Sequence, residues 1–193
     1  MSHAAVRGGM TCGKDWRPPE AWRSLSTIDF HTAGEPLRLI TEGFPELRGS
    51  TMLERRRDAE ARCDALRRVL MWEPRGHADM YGCLVTPPVT ADGDFGVLFM
   101  HNAGWSTMCG HGTIAVATAA VELGWVPTAE PETTVRIDAP PGRVTAIARI
   151  DGGRVRAVRF RNVPSFVLAL DETVDVPEYG RVRYDLAFGG AFY

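Results

Sequence analysis

From Gly110 to Leu123 the chain reads GHGTIAVATAAVEL, and Glu122 is the only Asp, Glu, Lys or Arg in that run. A helix that is apolar on every side has to be enclosed on every side. The run is also well short of the ~20 apolar residues that cross a bilayer. It therefore predicts a buried central helix in a folded domain. Gly124 suits the position just past its end, and Pro127 prevents continuation. The segments on both sides read as strands, so the expected fold is α/β (α+β), with a sheet curled around this helix.

The rest of the chain supplies that sheet. LSTIDFH and LRLIT flank the turn HTAGEP and predict a hairpin. Thr51-Met-Leu-Glu54 has the spacing of a capping box and opens a helix to about Met71. Its apolar residues Met52, Ala59, Cys63, Leu66 and Leu70 form one stripe on a charged cylinder. EPRGHADMYG reads as a loop, YGCLVTP as a strand, ADGD as a turn and FGVLFMH as a strand. From 133 to 188 the chain is β-rich: TTVRIDA, GRVTAIARI, RVRAVRFRNV, SFVLAL, ETVDV and GRVRYDLAF, separated by Gly, Pro or Asp turns. Residues 1–24, with Gly8-Gly9, Gly13 and Pro18-Pro19, are expected to be a flexible leader, and 25–188 the domain itself. DLAFGGAFY has no polar tail and no strand stop, so the chain is expected to break off within a strand, as a truncation would.

The chain has 193 residues, 45% hydrophobic and 24% charged, enough for one good core or two small ones. A formal net charge of -2 gives no electrostatic reason to expect nucleic acid or an anionic membrane as partner. No stretch reaches ~18 apolar residues, and MSHAAVRGGMTCGKDWRPPE lacks the apolar segment of a secretory signal, which points to the cytoplasm. Cys12, Cys63, Cys83 and Cys109 include no CxxC pair and are expected to be free thiols, Cys63 and Cys83 as core residues. Lys14 is the only lysine and lies in the Gly/Pro-rich tail, which excludes Schiff-base chemistry on a buried lysine.

Cys109 stands at the head of the apolar helix. The first turn of a helix has backbone N–H groups without partners, and its dipole favours an anion there. Gly110-His111-Gly112 keeps that turn open enough for a carboxylate, and the same positive end is expected to lower the Cys109 pKa. An anion cradle beside a thiolate base suits removal of a proton from the carbon next to a carboxylate. The residues alone leave other readings open. Cys109 could pack in the core while the glycines only turn the chain. Cys109, His111 and His101 could hold zinc, although the spacing matches no common metal pattern. A cysteine hydrolase would need a paired base and an oxyanion site. His31 and His77 lie in loop-like contexts and read as polar linkers.

DFHTAGEP at 29–36, EPRGHADMYG at 73–82, MCGHGT at 108–113, NVPSF at 162–166 and DLAFGGAFY at 185–193 resemble, in order, the motifs of the proline racemase family. The resemblance implies a diaminopimelate-epimerase-like fold: two pseudo-symmetric domains, each with a sheet around a central helix, and the active site between them. It implies no cofactor, a cytosolic enzyme, an imino acid substrate (proline or a hydroxyproline) and often a homodimer. Within that resemblance Cys109 is the catalytic residue of the first domain. The amides of Gly110 and His111 bind the substrate carboxylate, and the His111 side chain contacts the ring nitrogen. Asp29, His31, Arg75 and His77 belong to the motifs without an assigned role. Residues 189–193 would begin the crossing to the second domain, whose Thr or Cys beyond residue 193 decides between dehydration and racemisation. FGVLFMHNAGWSTMCGH is similar to the branch that dehydrates trans-3-hydroxy-L-proline to Δ1-pyrroline-2-carboxylate, although Ala103 departs from the acidic residue expected there and CGHGT is shared with racemases. Proline racemisation, 4-hydroxyproline 2-epimerisation and an inactive half-protein are the alternatives. A pure binding module would have no need of the thiol.

Overall fold

The structure, a computed structural model, describes residues 17–193. Most of the expected leader, and Cys12, lie outside them. Ten strands and two helices follow in order: β1 Ser26–Thr32, β2 Glu35–Glu42, α1 Met52–Met71, β3 Tyr81–Thr86, β4 Phe95–His101, β5 Trp105–Ser106, α2 Gly110–Glu122, β6 Glu132–Ala139, β7 Gly142–Asp151, β8 Arg154–Arg161, β9 Phe166–Val176 and β10 Gly180–Phe188. Seven strands run in the order β1-β2-β3-β4-β6-β7-β8, with β5 paired to β4. The β2–β3 and β4–β6 pairs are parallel and the others antiparallel.

This sheet bends around α2, which touches β1 and β2 near one edge and β7 and β8 at the other. α1 packs on the opposite face against β3, β4 and β6. FGVLFM has no polar alternation because both faces of β4 are buried. Phe95, Val97 and Phe99 join the core around α2, whereas Leu98 and Met100 join the core under α1. Cys83 lies in the first of these cores, and Cys63 is buried on α1.

The two helices begin differently. At α1 the capping box is complete: Glu54 N–H donates to Thr51 Oγ1 (3.1 Å) and Thr51 N–H to Glu54 Oε2 (3.2 Å). Cys109 occupies the equivalent position of α2 and makes no side-chain capping bond. The far end of α2 is closed as expected. Gly124 has φ +70, its N–H donates to the Val121 carbonyl, and Trp125 N–H reaches the Ala120 carbonyl, the two bonds of a Schellman motif.

Three expectations change. The apolar helix is not enclosed all round: His111, Ile114 and Thr118, spaced along one face, are half-buried, because the sheet does not close and β1 does not pair with β8. SFVLAL and ETVDV form one strand, β9. The Asp171-Glu172 break is a bulge, with Asp171 at φ +57 and its N–H donating to the Asp185 carboxylate (2.9 Å). The last strand also stops. β10 ends at Phe188, Gly190 takes φ +104, and the chain folds back so that Ala187 and Tyr193 exchange two hydrogen bonds of 3.0 Å. Among the described residues β9 and β10 pair with no other strand and form a separate two-stranded sheet. No helix among the described residues is long and apolar enough to cross a membrane.

Candidate active site

The mouth of α2 opens into a cavity of about 450 Å³ lined by Tyr81, His101, Ser106, Met108, Cys109, Gly110, His111, Gly189, Ala191 and Tyr193. A hollow of about 590 Å³ beside Trp22, Arg23, Arg38 and Arg75 is larger, but its lining holds no cysteine, histidine or carboxylate. Its Arg38 is already engaged by Asp29 (2.8 Å) and by the carbonyls of Leu70 and Arg75. Size and chemical character part company here: the thiol and two imidazoles line the smaller cavity, at α2.

Local structure explains each position. β4 and β5 form a hairpin around His101–Gly104, which brings the chain from the sheet to the start of α2. The Ser106 hydroxyl donates to the Met108 carbonyl (2.8 Å), and the Thr113 hydroxyl to the Cys109 carbonyl (2.8 Å). Neither the Gly110 nor the His111 N–H has a protein acceptor among the described residues, as expected of a first turn. His111 is held from the hairpin: Thr32 Oγ1 donates to its carbonyl (3.0 Å) and its Nε2–H to the Pro36 carbonyl (3.3 Å). The Tyr81 ring meets its imidazole edge-on at 4.7 Å. Thr107 Oγ1 holds the Gly190 carbonyl (2.7 Å) and Asn162 Nδ2 the Gly189 carbonyl (2.6 Å), which sets residues 189–193 against the cavity.

Gly112 is glycine for close approach: a Cβ there would lie 2.7 Å from Phe99 Cε1 and 3.1 Å from Cys109 Sγ. Cys109 Sγ is 3.5 Å from His111 Nδ1 and 3.8 Å from Nε2. Near-equal distances put the sulfur over the ring rather than along the Nδ1 lone pair, so this is not the nucleophile–base pairing of a cysteine hydrolase.

The expected low thiol pKa is corrected. Burial pushes the Cys109 thiol up to about 11, and the opposing pull of the Gly112 amide does not offset it. A helix dipole contributes of order 1 kcal/mol, too little to reverse a desolvation of this size. The resting form is the thiol.

Cys109, Gly110 and His111 line one cavity, and His101 joins them. Asp29, His31, Arg75 and His77 do not line the cavity. Asp29 pairs with Arg38, whose guanidinium holds its carboxyl below the usual range, and His31 Nδ1 accepts from Gly34 N–H (3.3 Å). No three His, Cys, Asp or Glu side chains among the described residues are placed to hold a metal ion. Sequence reasoning missed Arg67, which is only 3% exposed. It reaches from α1 to the carbonyls of His101 (2.8 Å) and Asn102 (2.6 Å), and Asn102 Nδ2 bonds the Met71 and His77 carbonyls. A polar residue on the buried stripe was the available signal, but not its partners.

The chain is 55% identical over 171 residues to the trans-3-hydroxy-L-proline dehydratase of Burkholderia cenocepacia strain HI2424, covering 89% of this chain and 51% of that protein. The 3-hydroxyproline 2-epimerase of Burkholderia multivorans is 54% identical with the same coverage. The crystal structure of a hydroxyproline epimerase from Agrobacterium vitis with bound trans-4-hydroxy-L-proline superposes with a TM-score of 0.81 at 31% identity, over 89% of this chain and 51% of that one. The chain thus spans about half the length of the relatives it matches. With a sheet wrapped on a central helix, a cysteine at that helix's open end, and residues 27–193 matching the model described as proline racemase, the chain belongs to the proline racemase family.

Proposed function

We propose that these residues are the thiol-bearing half of a trans-3-hydroxy-L-proline dehydratase that needs no cofactor. The observation that carries this reading is Cys109 beside two unpartnered amides in one cavity, in a chain 55% identical to a relative of that name. The substrate carboxylate docks on the Gly110 and His111 N–H groups, where the helix dipole favours it. The secondary ammonium of the zwitterionic ring then lies near Sγ and stabilises the thiolate, opposing the burial that keeps the thiol protonated at rest. Cys109, once its own proton has passed to solvent and left the thiolate, takes the Cα proton, and the Cα–H electron pair becomes a Cα=C3 bond. The C3–O bond breaks, its oxygen leaves as hydroxide to be protonated to water, and the enamine tautomerises to Δ1-pyrroline-2-carboxylate. The second catalytic group, a Thr in this reading, belongs to the half of the relatives' length that this chain does not span. A cytoplasmic homodimer is part of the same proposal.

The Burkholderia multivorans relative supports a second reading, 3-hydroxyproline 2-epimerisation, with the same first step and return of a proton to the opposite face. Incubating the natural chain that carries this segment with trans-3-hydroxy-L-proline in D₂O, followed by NMR, separates the two. Dehydration yields Δ1-pyrroline-2-carboxylate, and Cys109→Ser is expected to slow it at least ~100-fold. Appearance of cis-3-hydroxy-D-proline would select the epimerase reading. Neither product, or undiminished turnover by Cys109→Ser, sinks both.

A further inference from the structure

We infer that His101 is the side chain that selects a hydroxylated ring in this cavity, by presenting a fixed Nε2–H to the hydroxyl oxygen of the imino acid. The inference rests on the imino acid reading above. His101 is the last residue of β4 and lines the same cavity as Cys109. Ala103 N–H donates to its Nδ1 (3.2 Å), so Nδ1 is an acceptor and the ring proton sits on Nε2. Burial, and after it the charge of Arg67, disfavour the doubly protonated ring.

The ring is also held in place. The His101 carbonyl takes Arg67 Nη1–H (2.8 Å), its N–H donates to the Gly104 carbonyl (2.9 Å), and Tyr81 packs against the imidazole at 5.4 Å. Arg67 is itself fixed by Asp64 (2.6 Å). Two neighbouring side-chain donors of the cavity are already occupied: His111 Nε2–H by the Pro36 carbonyl and the Ser106 hydroxyl by the Met108 carbonyl. Among the described residues the Nε2–H of His101 has no acceptor. A positioned donor left unpaired by a plain ring, and satisfied by a ring oxygen, favours the hydroxylated substrate.

The same geometry says what His101 does not do. With Nδ1 engaged as an acceptor, giving up the Nε2 proton would leave an imidazolate. His101 therefore orients the hydroxyl and stabilises oxygen as negative charge develops on it, but transfers no proton.

Affinity tests this without turnover. In a Cys109→Ser background of the natural chain carrying this segment, calorimetry is expected to give about tenfold or more tighter binding of trans-3-hydroxy-L-proline than of L-proline. Adding His101→Phe removes that preference by weakening trans-3-hydroxy-L-proline binding and not that of L-proline, His101→Gln restores part of it, and Tyr81→Phe retains it. The proposal is overturned if the preference is absent, survives His101→Phe, vanishes with Tyr81→Phe, or if L-proline affinity falls equally, the mark of a merely structural residue. Binding of neither ligand also overturns it. Failure of wild-type turnover with the preference intact would sink the dehydratase reading alone.

Discussion

The starts of α1 and α2 are built from opposite materials. α1 opens on Thr51 and Glu54, which tie up orphan amides reciprocally, and its Arg56 and Arg67 reach the Trp105 and His101 carbonyls of the neighbouring hairpin. α2 opens on a cysteine and two glycines around a histidine, and its first two amides face a cavity. A first turn can be made stable or made available, and this chain does one on each side of the same sheet. The difference teaches where to look for chemistry: at the helix end whose donors the protein does not satisfy.

The largest expected effect is on the open end. Gly112→Ala improves helix propensity yet places a methyl group against Phe99, which is fully buried. It is expected to destabilise the fold by about 1–3 kcal/mol in urea unfolding; a stabilised variant would mean that this glycine is not required by packing. On the closed end, Thr51→Ala removes the box and is expected to cost about 1 kcal/mol by the same measurement. An unchanged midpoint would show that the box is incidental.

The smallest effect is the subtlest, because the two ends respond to opposite pH extremes. The Ser50 hydroxyl and the Ser50 and Thr51 amides hold the Glu54 carboxyl below its ordinary value. Its contribution is therefore present above the unfolded pKa and lost as pH falls through the lower folded one. Burial raises Cys109 to about 11, so the neutral thiol's contribution is present below the unfolded pKa and lost as pH rises from about 9 towards 11. Amide exchange at Ser50 and Thr51, whose N–H groups donate to the Glu54 carboxylate, should accelerate relative to its intrinsic rate in acid. The difference in 240 nm thiolate absorbance between wild type and Cys109→Ser should rise with a midpoint near 11. A midpoint near neutrality would restore the low pKa expected from the sequence.

How much of this was legible depended on the range of the interaction. The Thr51–Glu54 box, the β1–β2 hairpin and the Gly124 termination are written within a few residues and read directly. The buried axle and its cysteine read almost as well, because an apolar run has few places to go. Long-range partners did not read. Arg67 belongs to a buried stripe only because carbonyls thirty-four and thirty-five residues away accept its guanidinium. Asp138 is buried because the Val89 and Thr90 amides and Arg143 converge on it. Burial alone would raise its pKa, but these donors bring it below the ordinary value. The Asp171 bulge looked like a turn, since the same polar residues serve both. The thiol pKa was misjudged because sequence shows the helix end but not how deeply the sulfur is buried.

The central claim is that the open end of α2, and not that of α1, receives a carboxylate. Amide NMR during titration with L-proline tests it most directly. Saturable shifts are expected at the Gly110 and His111 N–H signals, with Met52, Leu53 and Glu54 unmoved and with no effect from pyrrolidine, which lacks the carboxylate. Still signals at Gly110 and His111, or equal shifts with pyrrolidine, would contradict it.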